Sequence, residues 1–227
     1  MITNEAGSAV PKSRVFLVDD HPLVREWLTN LINRQQDLLV CGEADDPPEA
    51  LRRIAASRPD VAIVDISLKS GSGLELIKQM KFSHPKIAIV VLSMHDESLY
   101  AERALRAGAS GYVVKRETPK KVIAAIRRVL DGQLYVSEKF AAVMADRFIK
   151  GRPAVSESPV KQLSDRELEI FELLGQGNGT RKISENLRVS MKTVQAYCAR
   201  IKEKLHLHNG TELLREAIRW QYEKHIG

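Results

Sequence analysis

The first 132 residues alternate short apolar runs with segments in which apolar residues recur at helical spacing. The apolar runs are continuous rather than alternating, which is typical of parallel strands covered on both faces. Strands are predicted at Arg14–Val18, Leu38–Ala44, Val61–Ile66, Ala88–Leu92 and Gly111–Val114. Helices are predicted at Pro22–Arg34, Pro48–Ser57, Leu74–Phe82, Leu99–Ala107 and Pro119–Asp131. This order predicts an α/β fold with a doubly wound, five-stranded parallel sheet.

After residue 132 the strand pattern is lost. One more helix is predicted over Ser137–Lys150, with Phe140, Val143, Met144 and Phe148 in register. Residues 151–162 carry Pro and Ser with little periodicity, as a linker does. Four helices follow, at Asp165–Gly175, Arg181–Leu187, Met191–Leu205 and Glu212–Tyr222. We therefore expect three parts: a unit at 13–132, a helix and linker at 133–162, and an all-helical unit at 163–227.

Composition narrows the class of protein. With 44% apolar and 28% charged residues, the chain can bury a core, which excludes wholesale disorder. The two cysteines, Cys41 and Cys198, lie far apart without a CxxC motif, which excludes a disulfide scaffold and a zinc finger. The longest apolar run, Ile87–Leu92, is far too short for a membrane span, and Met1–Ser13 lacks the apolar stretch of a signal peptide. These features predict a cytoplasmic protein with no membrane partner.

The net charge of +6 is too small to indicate a partner, but its placement is informative. Thr180–Lys204 carries seven basic residues against two acidic ones, on two neighbouring predicted helices. The segment before it, Asp165–Glu172, is acidic. A basic surplus focused on adjacent helices is the electrostatic footprint of a DNA-binding module.

Polar side chains stand at the carboxyl ends of four predicted strands. Asp19 and Asp20 follow the first strand, Asp65 lies at the end of the third, Ser93 follows the fourth and Lys115 the fifth. Open α/β sheets keep their binding crevice at this edge. Three carboxylates favour Mg²⁺, a hydroxyl and an ammonium suit a phosphoryl group, and Asp65 is a candidate nucleophile. Each residue alone also fits a polar loop, but five of them at one edge favour a site.

Together with Gly111-Tyr112-Val113-Val114-Lys115, these residues resemble the receiver domain of two-component response regulators over about residues 13–132. The resemblance implies a flavodoxin-like receiver fold in which Asp65 accepts a phosphoryl group from a sensor histidine kinase. It also implies a Mg²⁺ site. The implied ligands are Asp19, largely through water, Asp20, Asp65 and the backbone carbonyl of Ser67.

The same resemblance gives roles to further residues. Lys115 and Ser93 are implied to grip the phosphoryl oxygens. Tyr112 matches the aromatic that swings inward on switching, although its position also fits a half-buried strand aromatic. Ser67 and His95 match positions that border the attacking water and tune the lifetime of the phosphate.

Two positions depart from the commonest receiver pattern. Leu68-Lys69 stand where many receivers have Met-Pro, and Arg116 follows Lys115 where Pro is frequent. Neither change removes a chemical group, so the phosphorylation prediction holds. The loop Ser70-Gly71-Ser72-Gly73 is expected to be flexible.

In the third C-terminal helix, apolar residues recur at three- and four-residue steps and are expected to face the core: Val194, Tyr197, Ile201 and Leu205. The opposite face carries Lys192, Gln195, Ala196, Ala199 and Glu203. Gln can pair with adenine, Ala can approach a thymine methyl, and cations can hold phosphates. A solvated helix face is the alternative, and charge alone favours it.

A longer motif favours DNA binding. It comprises Leu163-Ser164-Asp165-Arg166-Glu167, Gly177, Ile183, Leu187, Val189-Ser190, Lys192-Thr193-Val194, Ile201 and Lys204-Leu205. It resembles the LuxR-type helix-turn-helix over about residues 160–222, and with the receiver it resembles the NarL/FixJ group of response regulators. The implied DNA contacts are Lys192, Thr193, Gln195, Ala196, Ala199, Arg200 and Lys204. The last helix is implied to pair subunits into a homodimer on two half-sites, although it also fits a helix that packs wholly inside the module.

These observations predict a DNA-binding response regulator that is switched by phosphorylation of Asp65. One alternative is a phosphorylation-independent transcription factor with a vestigial receiver. Another is a phosphatase with an aspartyl nucleophile, which places a second acid two residues after the nucleophile. That position holds Ser67, so no enzyme activity is expected beyond phosphorylation and dephosphorylation of Asp65 itself. The implied partners are a sensor histidine kinase, double-stranded promoter DNA and a second copy of the chain, and Mg²⁺ is the implied cofactor.

Overall fold

The computed structural model describes residues 11–68, 71–150, 159–187 and 189–226. Its first part contains the strands β1 (Ser13–Val18), β2 (Leu38–Ala44), β3 (Val61–Val64), β6 (Ala88–Ser93) and β7 (Gly111–Val114). They form a five-stranded sheet in the order β2-β1-β3-β6-β7, and every neighbouring pair is parallel. A small antiparallel hairpin, β4 (Ser67–Leu68) and β5 (Gly71–Ser72), follows β3. The prediction of a doubly wound parallel sheet is therefore confirmed.

Helices cover both faces of this sheet. They are α1 (Pro22–Asn33), α2 (Pro47–Ser57), α3 (Gly73–Ser83), α4 (Glu97–Ala107) and α5 (Pro119–Leu130). Alternate strand residues point to opposite faces, so Val15 and Leu17 pack with α1 and α5 in one core. Phe16 and Val18 pack with α2, α3 and α4 in the other. Strands β1, β3 and β6 are mostly buried on both sides, which explains their continuous apolar runs, whereas the edge strand β2 is partly exposed.

The third strand ends two residues before its predicted end at Ile66. Pairing with β1 stops at Val64, and the backbone N–H of Asp65 donates to the carbonyl of Val18 at 2.8 Å. The chain then turns into the β4–β5 hairpin. This turn lifts Asp65 off the strand onto the carboxyl edge of the sheet. The expected flexible loop at 70–73 falls partly on residue 70, which lies outside the described ranges.

The second part of the chain is helical where it is described. It comprises α6 (Glu138–Ile149), a short 3₁₀ turn (Pro159–Gln162), α7 (Asp165–Gly175), α8 (Thr180–Asn186), α9 (Met191–Lys204) and α10 (Gly210–Ile226). Ser164 forms a full capping box with Glu167 at the start of α7, and the Ser190 hydroxyl caps α9. The predicted linker lies outside the described residues over 151–158, and its last four residues form the 3₁₀ turn.

Helix α6 differs from its predicted amphipathic pattern. Phe140 is buried and Met144 packs against the core. Val143 and Phe148, which were expected in the same apolar face, are exposed by 43% and 89%. Helical periodicity therefore located the helix but overestimated how much of it is covered.

Helix α7 lies against the first part of the chain. The Tyr100 hydroxyl on α4 donates to Oε2 of Glu172 on α7 at 2.7 Å. Near the start of α7, Asp165 accepts from Arg103 at 2.8 Å and lies 3.5 Å from the Lys78 ammonium. The start of α7 is thus held to α3 and α4, and its last turn is held to α4. Among the described residues, none of these helices is long and apolar enough to cross a bilayer.

Packing of α7 on α10 depends on the small size of Gly175. A Cβ added there would lie 2.5 Å from the carbonyl oxygen of Ala217 in α10. We expect Gly175→Ala to lower the free energy of unfolding of the C-terminal helices by about 1–3 kcal/mol, because the two backbones must separate. Urea titration followed by circular dichroism measures the loss.

Gly210→Ala is the matched control, because a Cβ at that position meets no atom within 4 Å. It should change the unfolding free energy by no more than about 0.5 kcal/mol. Equal effects of the two substitutions would contradict the close-approach explanation.

Candidate functional site

An acidic cluster lies at the carboxyl edge of the sheet. Asp19 and Asp20 follow β1, Asp65 follows β3, and all three are at most 8% exposed. One carboxylate oxygen from each, together with a ring nitrogen of His21, lie within 4.8 Å of one another. The donor set is dominated by carboxylate oxygens, which suits a hard divalent cation. The structure therefore brings the predicted acidic residues together.

Lys115 is the cation of this cluster. Its ammonium lies 2.6 Å from Oδ2 of Asp19 and 2.6 Å from Oδ2 of Asp65. A hydrogen bond from the Lys115 N–H to the carbonyl of Ser93, at 2.7 Å, fixes the backbone after β7. Lys115 therefore bridges strands that are separated in the sheet by β6.

Burial and the attraction between opposite charges shift the pKa values of Asp65 and Lys115 in opposite directions. Burial raises the pKa of Asp65 above its usual value, and the attraction of Lys115 only partly offsets it. Burial lowers the pKa of Lys115, but the carboxylates of Asp65 and Asp19 outweigh it and the net pKa is raised. Lys115 thus remains an ammonium at neutral pH, and burial disfavours the charged form of Asp65.

Ser93 and Tyr112 lie beside the cluster on β6 and β7. Ser93 is fully buried, and its hydroxyl accepts a hydrogen bond from the His95 N–H at 3.2 Å. Tyr112 is fully rather than half buried, and its hydroxyl donates to the His95 carbonyl at 3.0 Å. Burial raises the pKa of Tyr112 far above its ordinary value, so the hydroxyl stays protonated. Both residues are therefore tied to the loop after β6.

Ser67 links the same loop to the acidic cluster. Its backbone N–H donates to Oδ1 of Asp65 at 3.2 Å, and its hydroxyl lies 2.6 Å from Nε2 of His95. The other ring nitrogen of His95 lies 2.9 Å from Oε2 of Glu172 on α7. Glu172 is a residue of this network that no sequence motif indicated. The acidic stretch 165–172 was the available signal, but nothing in the sequence pointed to its partner.

A cavity of about 610 Å³ separates the acidic cluster from the C-terminal helices. Asp20, Ser67 and His95 line one side, and Glu169 and Glu172 of α7 line the other. Burial raises the pKa of Glu169, and Arg166 opposes this shift. The acidic cluster therefore faces further acidic residues, those of α7, across the cavity.

Helix α9 presents the predicted base-contacting face to solvent. Val194 and Ile201 are fully buried, and Tyr197 and Leu205 pack partly against the core. The opposite face is exposed and contains Lys192, Gln195, Ala196, Ala199 and Arg200, with Thr193 partly exposed beside Ser190. The predicted amphipathic division of this helix thus matches its packing.

Lys204 has a partner inside the helical unit. Its ammonium lies 2.6 Å from Oε2 of Glu167, which is 3% exposed, and Arg200 lies 3.6 Å from the other oxygen. Burial raises the pKa of Glu167, but hydrogen bonds from Lys204 and Ser164 outweigh it and lower the net pKa. Arg200 also stacks over the Tyr197 ring at 4.4 Å. These two cations therefore also stabilise the fold of the unit.

Comparison with known families and proteins matches both parts of the chain. Residues 15–127 match the response regulator receiver domain, and residues 161–217 match the bacterial regulatory proteins of the luxR family. The chain is 36% identical over 211 residues to the oxygen regulatory protein NreC of Staphylococcus epidermidis, covering 91% of this chain and 97% of that protein. It is 37% identical over 205 residues to the response regulator UvrY of Escherichia coli, covering 90% of this chain and 93% of that protein.

A solved relative agrees in fold. The structure of RcsB from Salmonella enterica serovar Typhimurium, bound to the promoter rprA in the presence of the phosphomimetic BeF₃⁻, is 25% identical and superimposes with a TM-score of 0.61. The match covers 90% of this chain and 97% of that one.

A receiver sheet with an acidic edge, joined to a LuxR-type helical unit, defines a DNA-binding response regulator. The chain belongs to the NarL/FixJ group of this family.

The raised pKa of Asp65 leads to a stability prediction. At neutral pH we expect Asp65→Asn to raise the free energy of unfolding by about 0.5–2 kcal/mol, because it removes a carboxyl group whose charged form burial disfavours. A group whose pKa rises on folding destabilises the folded state above that pKa. The gain should therefore shrink as the pH falls through the folded-state pKa towards the ordinary value for Asp.

Urea titrations at neutral and acid pH measure this dependence. Asp131→Asn, at an exposed position after α5, is the control and should have little effect at either pH. A gain from Asp65→Asn that does not change with pH would sink the electrostatic explanation.

Proposed function

We propose that Asp65 accepts a phosphoryl group from a sensor histidine kinase and that this event controls promoter binding by the C-terminal unit. The proposed domains are a receiver at 13–132, a helix and linker at 133–162, and a DNA-binding domain at 163–227. The observation that carries the proposal is the buried Asp65 carboxylate held 2.6 Å from the Lys115 ammonium at the sheet edge.

The proposed transfer follows the chemistry of a carboxylate nucleophile. An oxygen of Asp65 forms a bond to phosphorus while the P–N bond to the kinase histidine breaks. The imidazole nitrogen keeps the bonding electrons and takes a proton from solvent. Lys115 and Ser93 are the groups that would bind the phosphoryl oxygens, and Tyr112 is the proposed switch residue.

The acidic cluster also fits a bound Mg²⁺. Asp20, Asp65 and the backbone carbonyl of Ser67 would hold the ion, with Asp19 acting largely through water. The buried carboxylate oxygens within 4.8 Å of one another support this assignment. When bound, the ion would supply positive charge to the phosphoryl oxygens in the transition state.

In the DNA-binding domain we propose that Gln195, Ala196 and Ala199 read base edges in the major groove. Lys192, Thr193, Arg200 and Lys204 are the proposed backbone contacts. Exposure of the base-reading residues on one face of α9 supports this proposal.

Helix α10 supports the proposal of a homodimer on DNA. Leu213 and Ala217 are buried inside the domain. Leu214, Ile218 and Tyr222 recur at four-residue steps and are 40–70% exposed. One face therefore serves the core, and the other is available to a second copy of the chain. The solved relatives include two RcsB dimers bound to two parallel DNAs.

The alternatives receive less support. A vestigial receiver has no chemical need for Asp19, Asp65 and Lys115 in mutual contact. A phosphatase would require an acid two residues after Asp65, where the Ser67 hydroxyl instead contacts His95. We therefore propose no catalytic activity beyond phosphorylation and dephosphorylation of Asp65.

The first test measures binding to a genomic fragment pool with and without BeF₃⁻ and Mg²⁺. We expect the phosphomimetic to raise affinity for specific fragments, because it occupies the position of the phosphoryl group at Asp65. Asp65→Ala should abolish this gain, whereas Asp131→Ala should retain it. Specific binding that is indifferent to both BeF₃⁻ and Asp65→Ala would favour the vestigial receiver.

A second test separates phosphate contacts from base contacts on α9. Lys192→Ala should weaken binding to all sequences alike and reduce the slope of log affinity against log salt by about 1. Gln195→Ala should cost about 1–3 kcal/mol on the preferred site and little on others. Salt titrations on preferred and scrambled sites measure both effects. Site-selective weakening by Lys192→Ala together with uniform weakening by Gln195→Ala would overturn the assignment.

A further inference from the structure

Arg25 of α1 contacts the backbone of the acidic cluster. Its guanidinium Nη1 donates to the carbonyl oxygen of Asp19 at 2.6 Å. That carbonyl belongs to the planar peptide group that joins Asp19 to Asp20, so the bond restrains the backbone from which both carboxylates extend. The side chain of Arg25 is only 15% exposed, which limits competition from bulk water for the bond. Arg25 is therefore placed to orient two carboxylates of the cluster.

Other bonds hold the same turn of the chain. The backbone N–H of Asp19 donates to the carbonyl of Ala44 on β2 at 3.2 Å. Oδ1 of Asp19 accepts from the backbone N–H of His21 at 2.9 Å. These bonds fix the amide and the side chain of Asp19, and the bond from Arg25 fixes its carbonyl. The peptide group before Asp20 therefore has little freedom to rotate.

An ion pair does not account for the burial of the Arg25 guanidinium. Oε1 of Glu43 lies 3.6 Å from Nε, which is beyond hydrogen-bond distance, and the Glu43 side chain is 45% exposed. A pair with this exposure contributes little to stability. Within the described ranges of the chain, the buried Nε has no hydrogen-bond partner, which costs free energy. The bond to the Asp19 carbonyl is therefore the contact that gives this side chain its purpose.

Charge alone makes Arg25 unfavourable for a bound cation. The guanidinium stays charged at any physiological pH, and it contacts the backbone of the implied ligands Asp19 and Asp20. Its charge repels a divalent cation at the cluster, whatever the ion. Restraint of the ligands has the opposite sign, because it lowers the cost of ordering them around the ion. The two effects are separated by removing the charge.

Mg²⁺ and Ca²⁺ differ in the geometry that they require. Mg²⁺ needs nearly ideal octahedral coordination with ligand distances of about 2.0–2.1 Å, whereas Ca²⁺ accepts variable geometry at about 2.3–2.6 Å. Rotation of the peptide group between Asp19 and Asp20 would displace the ligand oxygens. Such displacement costs more affinity for Mg²⁺ than for Ca²⁺. A restrained peptide group therefore favours Mg²⁺.

We propose that Arg25 is a positioning residue that makes the acidic cluster selective for Mg²⁺ over Ca²⁺. It acts through its bond to the Asp19 carbonyl, which holds the peptide group between Asp19 and Asp20 in place. The proposal rests on the Mg²⁺ site proposed above, and it assigns the selectivity of that site to a residue that is not itself a ligand.

The test compares the dissociation constants of Mg²⁺ and Ca²⁺ in the full chain. Isothermal titration calorimetry with MgCl₂ and with CaCl₂ at one ionic strength gives both constants without a kinase or a phosphoryl donor. Mg²⁺ binding by the parent chain that Asp20→Ala abolishes supports the site at the acidic cluster. Absence of Mg²⁺ binding by the parent would overturn the proposed Mg²⁺ site and, with it, the role of Arg25.

Arg25→Met keeps an unbranched side chain and removes the charge and the donors. We expect it to weaken Mg²⁺ binding about 10-fold or more, the usual effect of losing a residue that orients metal ligands. Ca²⁺ binding should weaken less, so the ratio of Mg²⁺ affinity to Ca²⁺ affinity should fall. Normal Mg²⁺ binding by the parent with an unchanged ratio in Arg25→Met would overturn the proposal alone. Tighter binding of both ions would also overturn it, since Arg25 would then act through its charge.

Arg116→Met is the matched control, because it removes an exposed cation next to Lys115. It should change the affinities for the two ions alike and leave their ratio as in the parent. A fall in the ratio as large as that in Arg25→Met would contradict the proposal, since any nearby cation would then serve.

Urea titration without added metal checks that each variant folds. If Arg25→Met fails to fold, Arg25→Lys decides the outcome. This variant keeps the charge but replaces the planar guanidinium by a compact ammonium. A ratio below that of the parent supports the positioning role, and a ratio equal to that of the parent would refute it.

Discussion

The ammonium of Lys115 between Asp19 and Asp65 is the interaction on which the rest of the molecule depends. It holds two buried carboxylates that would otherwise repel each other at the edge of the sheet. Burial disfavours the charge on Asp65, and the attraction of Lys115 offsets only part of that cost, whereas for Lys115 the neighbouring carboxylates outweigh burial. The edge of the sheet therefore retains charged groups that lower folding stability but are suited to a reactive site.

Burying charge at this site costs folding free energy, and the surrounding residues hold the site in place through hydrogen bonds. Ser93, Tyr112 and Ser67 all bond to the single loop residue His95, which brings the strand ends and the loop into one network. The network extends to Glu172, so the site and the domain interface share a hydrogen-bonded side chain. Acidic groups lie on both sides of the intervening cavity. Negative charge added at the site is therefore repelled by the carboxylates of the cluster and by those of α7.

The DNA-binding domain shows a related sharing of roles. Glu167 caps α7 and binds Lys204 and lies near Arg200, so cations expected at the DNA backbone also stabilise the helical core. Lys192 lies at the exposed start of α9 and is free of that constraint. A substitution near the end of α9 is therefore expected to change both DNA affinity and folding stability. A substitution at the beginning of α9 can change DNA affinity alone.

The sequence alone determined the fold class, the groups at the sheet edge, and the five main strands and the helices. Strand runs such as Gly111–Val114 and helix caps such as Ser164 are local signals, so they can be read without knowing what they contact. Motif resemblance further identified Asp65, Lys115 and α9 as the centres of chemistry and recognition, whose assigned roles stay proposals.

Only the tertiary structure decided which residues meet across long distances in the chain. The contact of Tyr100 with Glu172 joins residues 72 positions apart, and no periodicity encodes it. The exposure of Phe148 in α6 and the end of β3 at Val64 were decided in the same way. Packing and hydrogen bonding between distant segments depend on how the elements are arranged in space, and a pattern along the chain does not specify that arrangement.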